Sequence, residues 1–377
     1  MTRKLVVVAA GGTGGHFFPA EALARELLLR DYRVAIVTDQ RGHAFADKIA
    51  GVALHRIHAG RFDAGIAGKI VGIAELALGT IEARRLLRGL NPACAVGFGG
   101  YPSVPTMLAA AQLGVPAVIH EQNALLGRAN RLLASRVDRI ATSFAETAGI
   151  RLGNRARVVT TGNPVRAAVA AMRGTAYPSY GPDLPFRILI LGGSQGARIM
   201  SVIVPAALAL LPQATRAALQ ITEQARPEDL EAVRRSHAEN RVAAQTASFF
   251  EDVPARLAAA HLVISRAGAS SVAEIAIVGR PAILVPFAMA AEDHQTANAQ
   301  AVAAMGSAWI MTEADFTPPA LAQRLQSLIS EPEQLVQAAA VAFAQGRPAA
   351  ARGLADIVAE LAGGANGHAP FFRENAA

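Results

Sequence analysis

Residues 5–15 read LVVVAAGGTGG, and residues 188–196 read ILILGGSQG. In each stretch a short apolar run leads directly into a glycine-rich turn, as a buried strand does when it passes through glycines into a helix. That arrangement presents backbone N–H groups and the positive end of the helix to an anion where the strand ends. Because it occurs twice, about half a chain apart, the sequence predicts two Rossmann-like, doubly wound α/β domains that face each other across a cleft.

Apolar runs alternate with longer helical patterns along the rest of the chain. This alternation predicts parallel sheets whose strands are joined by right-handed helical crossovers. Helical periodicity is clearest at residues 19–30, 103–113, 271–278 and 296–305. The predicted strands are residues 5–10, 34–38, 93–98, 117–120, 139–142 and 157–160 in the first half, and 187–191, 218–222, 242–244, 262–265, 282–286 and 308–311 in the second.

The domain junction is predicted at a turn cluster, TGNP at residues 161–164. We therefore expect an N-terminal domain over residues 1–163 and a C-terminal domain over residues 164–346. A helix at about residues 347–362 is expected to pack back on the N-terminal domain. Residues 363–377 are expected to form a flexible tail.

The composition fits two α/β domains, since 52% of the 377 residues are hydrophobic. The 36 basic and 29 acidic residues give a net charge of +7, which favours an anionic partner. No long lysine and arginine block occurs, so nucleic acid is not expected as a partner.

No apolar run reaches the roughly 18 residues that span a bilayer, and the first one is too short for a targeting segment. The single cysteine, Cys94, cannot form an internal disulfide, which favours a cytosolic chain.

The first glycine turn differs from two common phosphate-binding fingerprints. It lacks the lysine of a Walker loop, and Phe17 stands where the dinucleotide fingerprint needs its third glycine. Asp39, at the end of the second predicted strand, is one feature that does favour a dinucleotide. His16 follows the turn at the start of a predicted helix, where an imidazole can act as a base or as a hydrogen-bond donor. A histidine that only caps its own turn is the alternative.

Polar side chains also follow other strands of the first half. HEQN at residues 120–123 comes directly after an apolar strand and is hard to explain by packing, although part of it can form structural hydrogen bonds. Within it, Glu121 is a second candidate base. GFGGYPS at residues 97–103 closes another strand, and its glycines permit close approach of a ligand. Arg166, just after the junction, can contact a diphosphate or form a surface salt bridge.

In the second half, residues 266–274 begin a helix after a predicted strand. This helix start can face a nucleotide while Glu274 accepts hydrogen bonds from a ribose diol; alternatively, Ser271 and Glu274 have the spacing of a capping box. DHQT at residues 293–296 opens the next helix, either as a sugar contact or as an N-cap. No Asp-x-Asp pair and no His/Cys cluster with metal-ligand spacing occurs, so neither a metal nor another cofactor is expected.

Six motifs, in order along the chain, resemble those of the MurG family of bacterial transferases. That family adds N-acetylglucosamine to the undecaprenyl-linked muramyl-pentapeptide of peptidoglycan synthesis. Each motif is weak by itself, but the ordered set is specific and covers nearly the whole chain. The motifs are GGTGGH (residues 11–16), GFGGYPS (97–103), HEQN (120–123), GNPVR (162–166), GGSQGAR (192–198) and GASSVAE (268–274).

The resemblance implies a GT-B fold, two Rossmann-like domains with the donor UDP-sugar in the C-terminal one. It implies an inverting single displacement, in which the muramyl 4-hydroxyl of lipid I attacks UDP-N-acetylglucosamine to give a β-1,4 bond, lipid II and UDP. It also implies a peripheral location on the cytoplasmic face of the bacterial inner membrane. The cell-wall and division machinery is an implied class of partner.

Most site residues follow from the same resemblance, position by position. For the base that attack by a hydroxyl needs, His16 and Glu121 are the candidates, and His16 is favoured. The resemblance assigns the sugar or its approach to Thr13, Gly14, Gly15 and Asn123, the diphosphate to Arg166 and Ser194, the phosphate end of a helix to Ala269, Ser270 and Ser271, the ribose to Glu274, the N-acetylglucosamine to Gln295, and uracil to the backbone of Phe250.

Two positions depart from the family pattern. Residues 222–225 read TEQA, where the family often has His-Gln-Ser/Thr-Gly, so a contact there is not carried over. Thr296 follows Gln295, where a known member has a second glutamine. Neither departure touches the first glycine turn or Glu274.

A surface that faces a membrane is a further expectation, because the implied acceptor is a lipid. The stretch 65–90 carries isoleucines at helical spacing with basic residues nearby. An apolar face rimmed by bases can rest on an anionic leaflet, although the same spacing also fits a helix packed in a core. The isoleucines are Ile66, Ile70, Ile73 and Ile81, and the bases are Lys69, Arg84, Arg85 and Arg88.

Two other functional classes stay open on the sequence alone. A NAD- or FAD-dependent oxidoreductase would explain Asp39, but it leaves the second glycine turn and residues 268–274 unexplained. A non-catalytic protein that binds a UDP-sugar would keep the nucleotide site and would not need His16.

Overall fold

The structure, a computed structural model, describes residues 3–11, 14–39, 49–60, 66–179, 181, 184–193 and 196–363. The chain forms two compact units. The first comprises Met1–Arg166 together with Pro348–Ala377, and the second comprises Ala167–Arg347. The predicted tail lies outside the described residues from position 364 onward, and so do the predicted site residues Thr13 and Ser194.

The strands of the first unit form one parallel sheet of seven. They are β1 (Leu5–Ala9), β2 (Arg33–Thr38), β3 (Val52–Arg56), β4 (Cys94–Gly97), β5 (Ala117–Glu121), β6 (Arg139–Thr142) and β7 (Val158–Thr160). Their order across the sheet is β3-β2-β1-β4-β5-β6-β7. The order reverses between β1 and β4, and open α/β sheets bind ligands at such a switch point.

The second unit contains a parallel sheet of six strands. They are β8 (Phe186–Leu191), β9 (Leu219–Gln224), β10 (Ala243–Ala247), β11 (Leu262–Ser265), β12 (Ala282–Leu284) and β13 (Ala308–Ile310). Their order is β10-β9-β8-β11-β12-β13, so the switch point lies between β8 and β11. Each unit is therefore doubly wound by itself.

The described α-helices follow the strands as crossovers in both units. They are α1 (Gly14–Leu29), α2 (Ile66–Leu90), α3 (Ser103–Leu113), α4 (Arg128–Leu133), α5 (Ala167–Ala170), α6 (Arg198–Ala209), α7 (Gln213–Ala217), α8 (Leu230–Glu239), α9 (Val253–Ala259), α10 (Ala269–Val278), α11 (His294–Ala303), α12 (Pro318–Ser330), α13 (Pro332–Gln345) and α14 (Ala350–Leu361). Among the described residues, none of the helices is both long and apolar enough to cross a membrane.

Strand β1 is buried on both faces, which explains its uninterrupted apolar sequence. Val6 and Val8 belong to a core cluster that also contains residues of α1 and α14. Val7 and Ala9 point to the other face, into a cluster with residues of α2 and α3. The first glycine turn therefore leaves a strand held on both sides, which gives the residues after it a rigid support.

The last described helix, α14, packs on the first unit. Leu354 and Val358 are fully buried in the same cluster as α1. Beyond the end of the helix, the Nζ atom of Lys4 donates to the carbonyl oxygens of Ala362 and Gly363, at 2.8 and 2.9 Å. A lysine at this position compensates carbonyl groups that have no partner within the helix.

The structure confirms the parallel α/β architecture of both halves and shows three local differences from the sequence predictions. Strand β3 was not predicted, because its half-buried edge sequence, VALHR, lacks a continuous apolar run. Helix α1 begins at Gly14, so Pro19 lies inside the helix rather than at its start. Strand β9 continues to Gln224 through a buried glutamate, Glu223.

Candidate active site

The first helix brings His16 to the carboxyl end of β1. His16 is the third residue of α1 and is half-buried. Gly14, the first helical residue, lies against the ring of Phe18, where an added Cβ would come within 2.9 Å of Cε2. Gly15 is exposed, and an added Cβ there would meet nothing within 4 Å. The backbone beside His16 is therefore open on the side of Gly15.

The imidazole of His16 is held by two acceptors. Its Nδ1 atom lies 2.8 Å from the carbonyl oxygen of Phe98 and 3.2 Å from Oε1 of Gln122. Because both partners accept, Nδ1 carries the proton of the neutral ring and Nε2 carries the lone pair. Nε2 has no hydrogen-bond partner among the described residues. It lies beside Gly100, where an added Cβ would approach it to 3.4 Å.

The turn after β4 supplies the Phe98 carbonyl. The N–H of Phe98 continues the sheet by donating to Ala9 at 2.9 Å, and the chain then turns through two glycines. Gly99 and Gly100 have φ values of 76° and 72°, which a residue with a Cβ rarely adopts. Helix α3 then begins at Ser103, whose hydroxyl donates to the carbonyl of Gly100. The GFGGYPS stretch thus shapes the backbone that holds His16.

Glu121, the last residue of β5, is 2% exposed, and its carboxylate is fully engaged in hydrogen bonds. Oε1 accepts from the backbone N–H and the side-chain amide of Asn123, at 3.0 and 3.1 Å. Oε2 accepts from the N–H of Gly127 at 3.0 Å and from Nδ2 of Asn130 at 2.8 Å. A carboxylate with four donors around it organises the loop after β5, and all four of these donors come from that loop and the helix that follows it.

His120 and Gln122 flank Glu121 and are also buried. Nε2 of His120 lies 3.0 Å from the carbonyl oxygen of Gly162, and its Nδ1 lies 3.1 Å from Nε2 of Gln122. Complete burial lowers the pKa of His120 to about 4, partly offset by the bond to Gly162. His120 is therefore neutral at pH 7.

Arg166 lies close to the same helix. Its guanidinium carbon is 5.2 Å from the centroid of the Phe18 ring, two residues after His16. Thus His16, Glu121, Asn123, Arg166 and the glycines Gly14 and Gly15 all lie in the first unit. His16 follows the carboxyl end of β1, and Glu121 and Asn123 lie at the carboxyl end of β5. In the sheet, β1 and β5 lie on either side of β4.

The second glycine turn requires glycine for steric reasons. An added Cβ at Gly192 would lie 2.5 Å from the backbone nitrogen of Ala197, and one at Gly196 would lie 2.8 Å from Cγ of Arg226. Gly193 and Gly196 have φ values of 82° and 68°. Helix α6 begins directly afterwards at Arg198. Gly192 and Ala197, the described residues on either side of this turn, therefore lie in close contact.

Helix α10 starts without a side-chain cap. Its N-cap is Gly268, and Ser271 lies inside the first turn, so the capping-box reading of Ser271 and Glu274 is wrong. A capping box would need Ser271 as the N-cap, but the helix begins at Ala269, three residues earlier than that hypothesis requires. The Oγ atom of Ser270 is buried and has no hydrogen-bond partner within the described part of the chain. The Ser270 hydroxyl therefore lies at the positive end of a ten-residue helix.

Gln295 and Phe250 follow two further strands of the second sheet. Gln295 is the second residue of α11, and its Oε1 accepts from the N–H of Phe287 at 3.0 Å. Asp293 occupies the N-cap of α11 but accepts from the Thr296 hydroxyl, at 2.6 Å, and caps no backbone N–H. Phe250 follows β10 and is held under the guanidinium of Arg256, which lies 4.2 Å from its ring centroid. The predicted residues of this unit that the structure describes thus follow carboxyl ends of its strands.

The sequence patterns gave no role to three residues that take part in buried hydrogen bonds. Gln122 lies within a motif that was singled out, but its bond to His16 joins residues far apart in the chain. Glu223 and His237 form a buried pair at 2.8 Å between β9 and α8, at the position where the chain departs from the family pattern. Two polar residues in amphipathic patterns give no local signal of such a pair. Among the described residues, no His, Cys, Asp and Glu cluster of metal-binding size occurs.

Two doubly wound units, each with a glycine-rich turn after the strand at its switch point, are typical of the GT-B fold, in which nucleotide-sugar glycosyltransferases are built. Family models narrow this class. Residues 6–142 match the glycosyltransferase family 28 N-terminal domain, and residues 187–354 match the glycosyltransferase family 28 C-terminal domain.

Individual proteins agree with the family models. The chain is 54% identical, over 97% of both chains, to a protein of Rhodospirillum centenum called UDP-N-acetylglucosamine–N-acetylmuramyl-(pentapeptide) pyrophosphoryl-undecaprenol N-acetylglucosamine transferase. It is 53% identical to a protein of the same name from Paramagnetospirillum magneticum, over 95% of this chain and 97% of the other. The crystal structure of Acinetobacter baumannii MurG matches with a TM-score of 0.78 and 30% identity, covering 95% of this chain and 100% of that one. The chain therefore belongs to the MurG family within glycosyltransferase family 28, which confirms the resemblance in its motifs.

Proposed function

We propose that this protein transfers N-acetylglucosamine from UDP-N-acetylglucosamine to the muramyl 4-hydroxyl of lipid I, giving lipid II and UDP. The observation that carries the proposal is the 54% identity, over 97% of both chains, to a relative whose name states this transfer. The enzyme is a hexosyltransferase, and the oxidoreductase alternative is not favoured. UDP-N-acetylglucosamine and lipid I are its two substrates.

We assign the role of general base to His16. In an inverting displacement, the oxygen of the acceptor hydroxyl forms a bond to C1 of N-acetylglucosamine as the bond from C1 to the UDP oxygen breaks. The hydroxyl proton then passes to Nε2 of His16, and the electron pair of the broken bond leaves with UDP. The free lone pair on Nε2 supports this assignment, whereas the four hydrogen bonds to Glu121 disfavour it as the base.

We further propose that the second unit binds the nucleotide. UDP gains negative charge as it leaves, and N–H groups at a helix start stabilise such charge. The unpartnered hydroxyl of Ser270, with Ala269 and Ser271 beside it, supports a phosphate position at the start of α10. The remaining assignments stay predictions from the motifs, namely Glu274 for the ribose, Gln295 for the N-acetylglucosamine, Phe250 for uracil, Arg166 and Ser194 for the diphosphate, and Thr13, Gly14, Gly15 and Asn123 for the sugar or its approach.

Helix α2 supports a membrane-facing surface on the first unit. Val71, Ile73, Leu78 and Ile81 are 46–59% exposed, although large apolar side chains on a crossover helix are normally buried. Toward its end the same helix exposes three arginines. An apolar stretch followed by bases fits attachment to an anionic leaflet. The basic side chains are Arg84, Arg85 and Arg88.

We infer a peripheral location on the cytoplasmic face of the inner membrane from this surface and from the lipid-linked acceptor. The side chains of Ile66, Lys69 and Ile70, which the sequence also singled out, lie outside the described residues. Partnership with the cell-wall and division machinery stays a prediction.

A transfer assay tests the proposed activity. The full chain is incubated with radiolabelled UDP-N-acetylglucosamine and lipid I, and label in the lipid fraction is counted beside released UDP. We expect equal amounts of labelled lipid and UDP. Calorimetry should also show binding of UDP-N-acetylglucosamine and none of NAD. Binding of the donor without transfer would instead indicate a non-catalytic sugar-nucleotide protein.

Co-sedimentation with vesicles of phosphatidylglycerol and phosphatidylethanolamine tests the membrane surface. We expect binding at low salt that the double variant I73E/I81E loses, because two charges then replace exposed apolar side chains. L29E is the matched control, since Leu29 is 83% exposed in the same unit but lies on α1. Equal binding by all three proteins would place the membrane contact elsewhere.

A further inference from the structure

We propose that Gln122 and His120 are positioning residues, which hold His16 as the tautomer that has its proton on Nδ1 and its lone pair on Nε2. The proposal rests on the proposed function, in which Nε2 of His16 takes the proton of the acceptor hydroxyl. It starts from a continuous series of hydrogen bonds that runs from Gly162 through His120 and Gln122 to His16.

The orientation of the Gln122 amide follows from its surroundings. Its Nε2 atom lies 3.0 Å from the carbonyl oxygen of Phe98, 3.1 Å from that of His120 and 3.1 Å from Nδ1 of the His120 ring. Two carbonyl oxygens and a ring lone pair are all acceptors, so the amide nitrogen must face them. The amide oxygen is thereby directed at Nδ1 of His16, 3.2 Å away.

The tautomer of His120 is set in the same way. Its Nε2 lies 3.0 Å from the carbonyl oxygen of Gly162, which can only accept, so Nε2 carries the proton. Its Nδ1 is then the acceptor that Gln122 needs. Burial lowers the pKa of this ring and keeps it neutral. A second proton on Nδ1 would also face the amide N–H groups of Gln122.

Phe98 closes the series. Its carbonyl oxygen accepts from Nδ1 of His16 at 2.8 Å and from Nε2 of Gln122 at 3.0 Å. The amide of Gln122 therefore binds both His16 and the carbonyl on which His16 rests. Gly162, at the other end, has a φ of 86° and stands in GNPVR, where the chain leaves the first unit.

This arrangement stabilises His16 in both protonation states. In the neutral ring it keeps the lone pair on Nε2. Once Nε2 has taken the hydroxyl proton, the positive ring still donates from Nδ1 to two oxygens, and hydrogen bonds to a charged group are the stronger ones. The proton stays on His16 until it is lost to water, and no proton moves along the series.

Few other ionisable groups face this series. Glu121 lies between His120 and Gln122 in the chain, but its carboxylate is turned toward Asn123, Gly127 and Asn130. Arg166 stands over Phe18 on the same helix as His16. Substitution of Gln122 thus changes the hydrogen bonds of His16 and leaves these charges in place.

NMR of protein labelled with ¹⁵N-histidine tests the tautomers directly. Two-bond ¹H–¹⁵N couplings distinguish a protonated Nδ1 from a protonated Nε2, and the signals of His16 and His120 are identified by their loss in H16A and H120N. We expect the Nδ1–H form for His16 and the Nε2–H form for His120 in the unmodified protein. An Nε2–H form of His16 there would overturn the proposal without any variant of Gln122.

The variant Q122M removes the amide at nearly constant side-chain volume. We expect a mixture of His16 tautomers and a fall in kcat of about 10–100-fold, as for loss of a hydrogen bond to a charged group. The KM for UDP-N-acetylglucosamine should not change, and the acidic limb of the pH–rate profile should move to lower pH, because the protonated ring has lost an acceptor. A purely structural role would leave that limb in place.

T106V is the matched control. Thr106 also lies buried in the first unit, and its hydroxyl has no hydrogen-bond partner in the described part of the chain. This variant should leave the tautomer and the pH–rate profile unchanged. A Q122M protein with the tautomer and kcat of T106V would refute the positioning role. Full turnover by H16A would instead refute His16 as the base, while the tautomer measurement would stand.

Discussion

The Oε2 atom of Glu121 lies 2.8 Å from Nδ2 of Asn130, and the same oxygen accepts from the N–H of Gly127. Glu121 thereby ties the end of β5 to the start of α4. His16, the other candidate base, keeps one ring nitrogen without a protein partner among the described residues. The two candidates should therefore respond differently to substitution.

Substitution E121Q should lower stability. The new amide group must place two donors among the donors that now surround the carboxylate, which leaves buried groups unpaired at about 1–3 kcal/mol each. Urea unfolding and the thermal midpoint measure the loss. The acidic limb of the pH–rate profile should stay where it is, and movement of that limb in a stable E121Q protein would restore Glu121 as a base.

Substitution H16A should lower turnover and leave stability nearly unchanged, the reverse of what we expect for E121Q. We expect kcat to fall about 10²–10⁴-fold, the usual contribution of a positioned acid or base. Stability and the Kd for UDP-N-acetylglucosamine should stay close to those of the unmodified protein, because His16 is half-buried and lies in the first unit. Stopped assays and calorimetry on the same preparation provide both numbers, and unchanged turnover would remove His16 from the mechanism.

Substitution G192A should disturb the turn after β8. Its new Cβ would lie 2.5 Å from the backbone nitrogen of Ala197, and backbone cannot move aside as a flexible side chain can. Overpacking of this kind costs about 1–3 kcal/mol, and we expect weaker binding of UDP-N-acetylglucosamine as well. G89A in α2 is the control, since an added Cβ there meets nothing within 4 Å and alanine favours a helix.

His120 should make stability depend on pH. Burial lowers its pKa to about 4, below the ordinary histidine pKa of 6.5 that the unfolded chain should show. Between these values the unfolded chain binds a proton that the folded chain does not, so stability falls as the pH drops, by up to about 1.4 kcal/mol per pH unit. Urea unfolding of the unmodified protein and H120N at several pH values should show a shallower slope for the variant, and equal slopes would contradict this.

In the buried pair of Glu223 and His237, replacing the carboxylate by an amide should cost less stability than removing the imidazole. Burial raises the pKa of Glu223, while the bond from His237 acts in the opposite direction. E223Q keeps an acceptor for Nε2 of His237 and should unfold within about 1 kcal/mol of the unmodified protein, whereas H237A should cost about 3–5 kcal/mol because it leaves a carboxylate alone in the core. An H237A protein as stable in urea as the unmodified protein would show that the pair contributes little.

The sequence patterns predict the parts of this fold in which local signals and packing agree. Strand β1 reads as a buried strand because both of its faces are covered, and the glycine turns follow from steric needs that only glycine meets. Strand β3 lies at the sheet edge with mixed burial, so its sequence resembles a loop. Strand β9 extends through the buried Glu223 because His237, on helix α8, pairs with its carboxylate. No local sequence pattern indicates this pair.

The candidate site likewise has features that the sequence predicts and features that depend on residues far away in the chain. His16 is predicted by its position after the turn, but the state of its ring depends on Phe98 and Gln122, which are 82 and 106 residues away. The structural role of Glu121 likewise depends on the loop that folds around it. Residue type and spacing thus identify which groups take part, and only the three-dimensional arrangement distinguishes a free ring nitrogen from an occupied carboxylate.

The docking of α14 has a consequence for biosynthesis. The first unit begins at the start of the chain, yet Leu354 and Val358, which cover one face of its sheet, belong to the last described helix. A ribosome adds about 5–20 residues per second, so the whole second unit emerges during a delay on the order of ten seconds or more. During that delay apolar residues of β1 and α1 lack part of their cover. The nascent chain therefore keeps this apolar face uncovered until α14 leaves the ribosome.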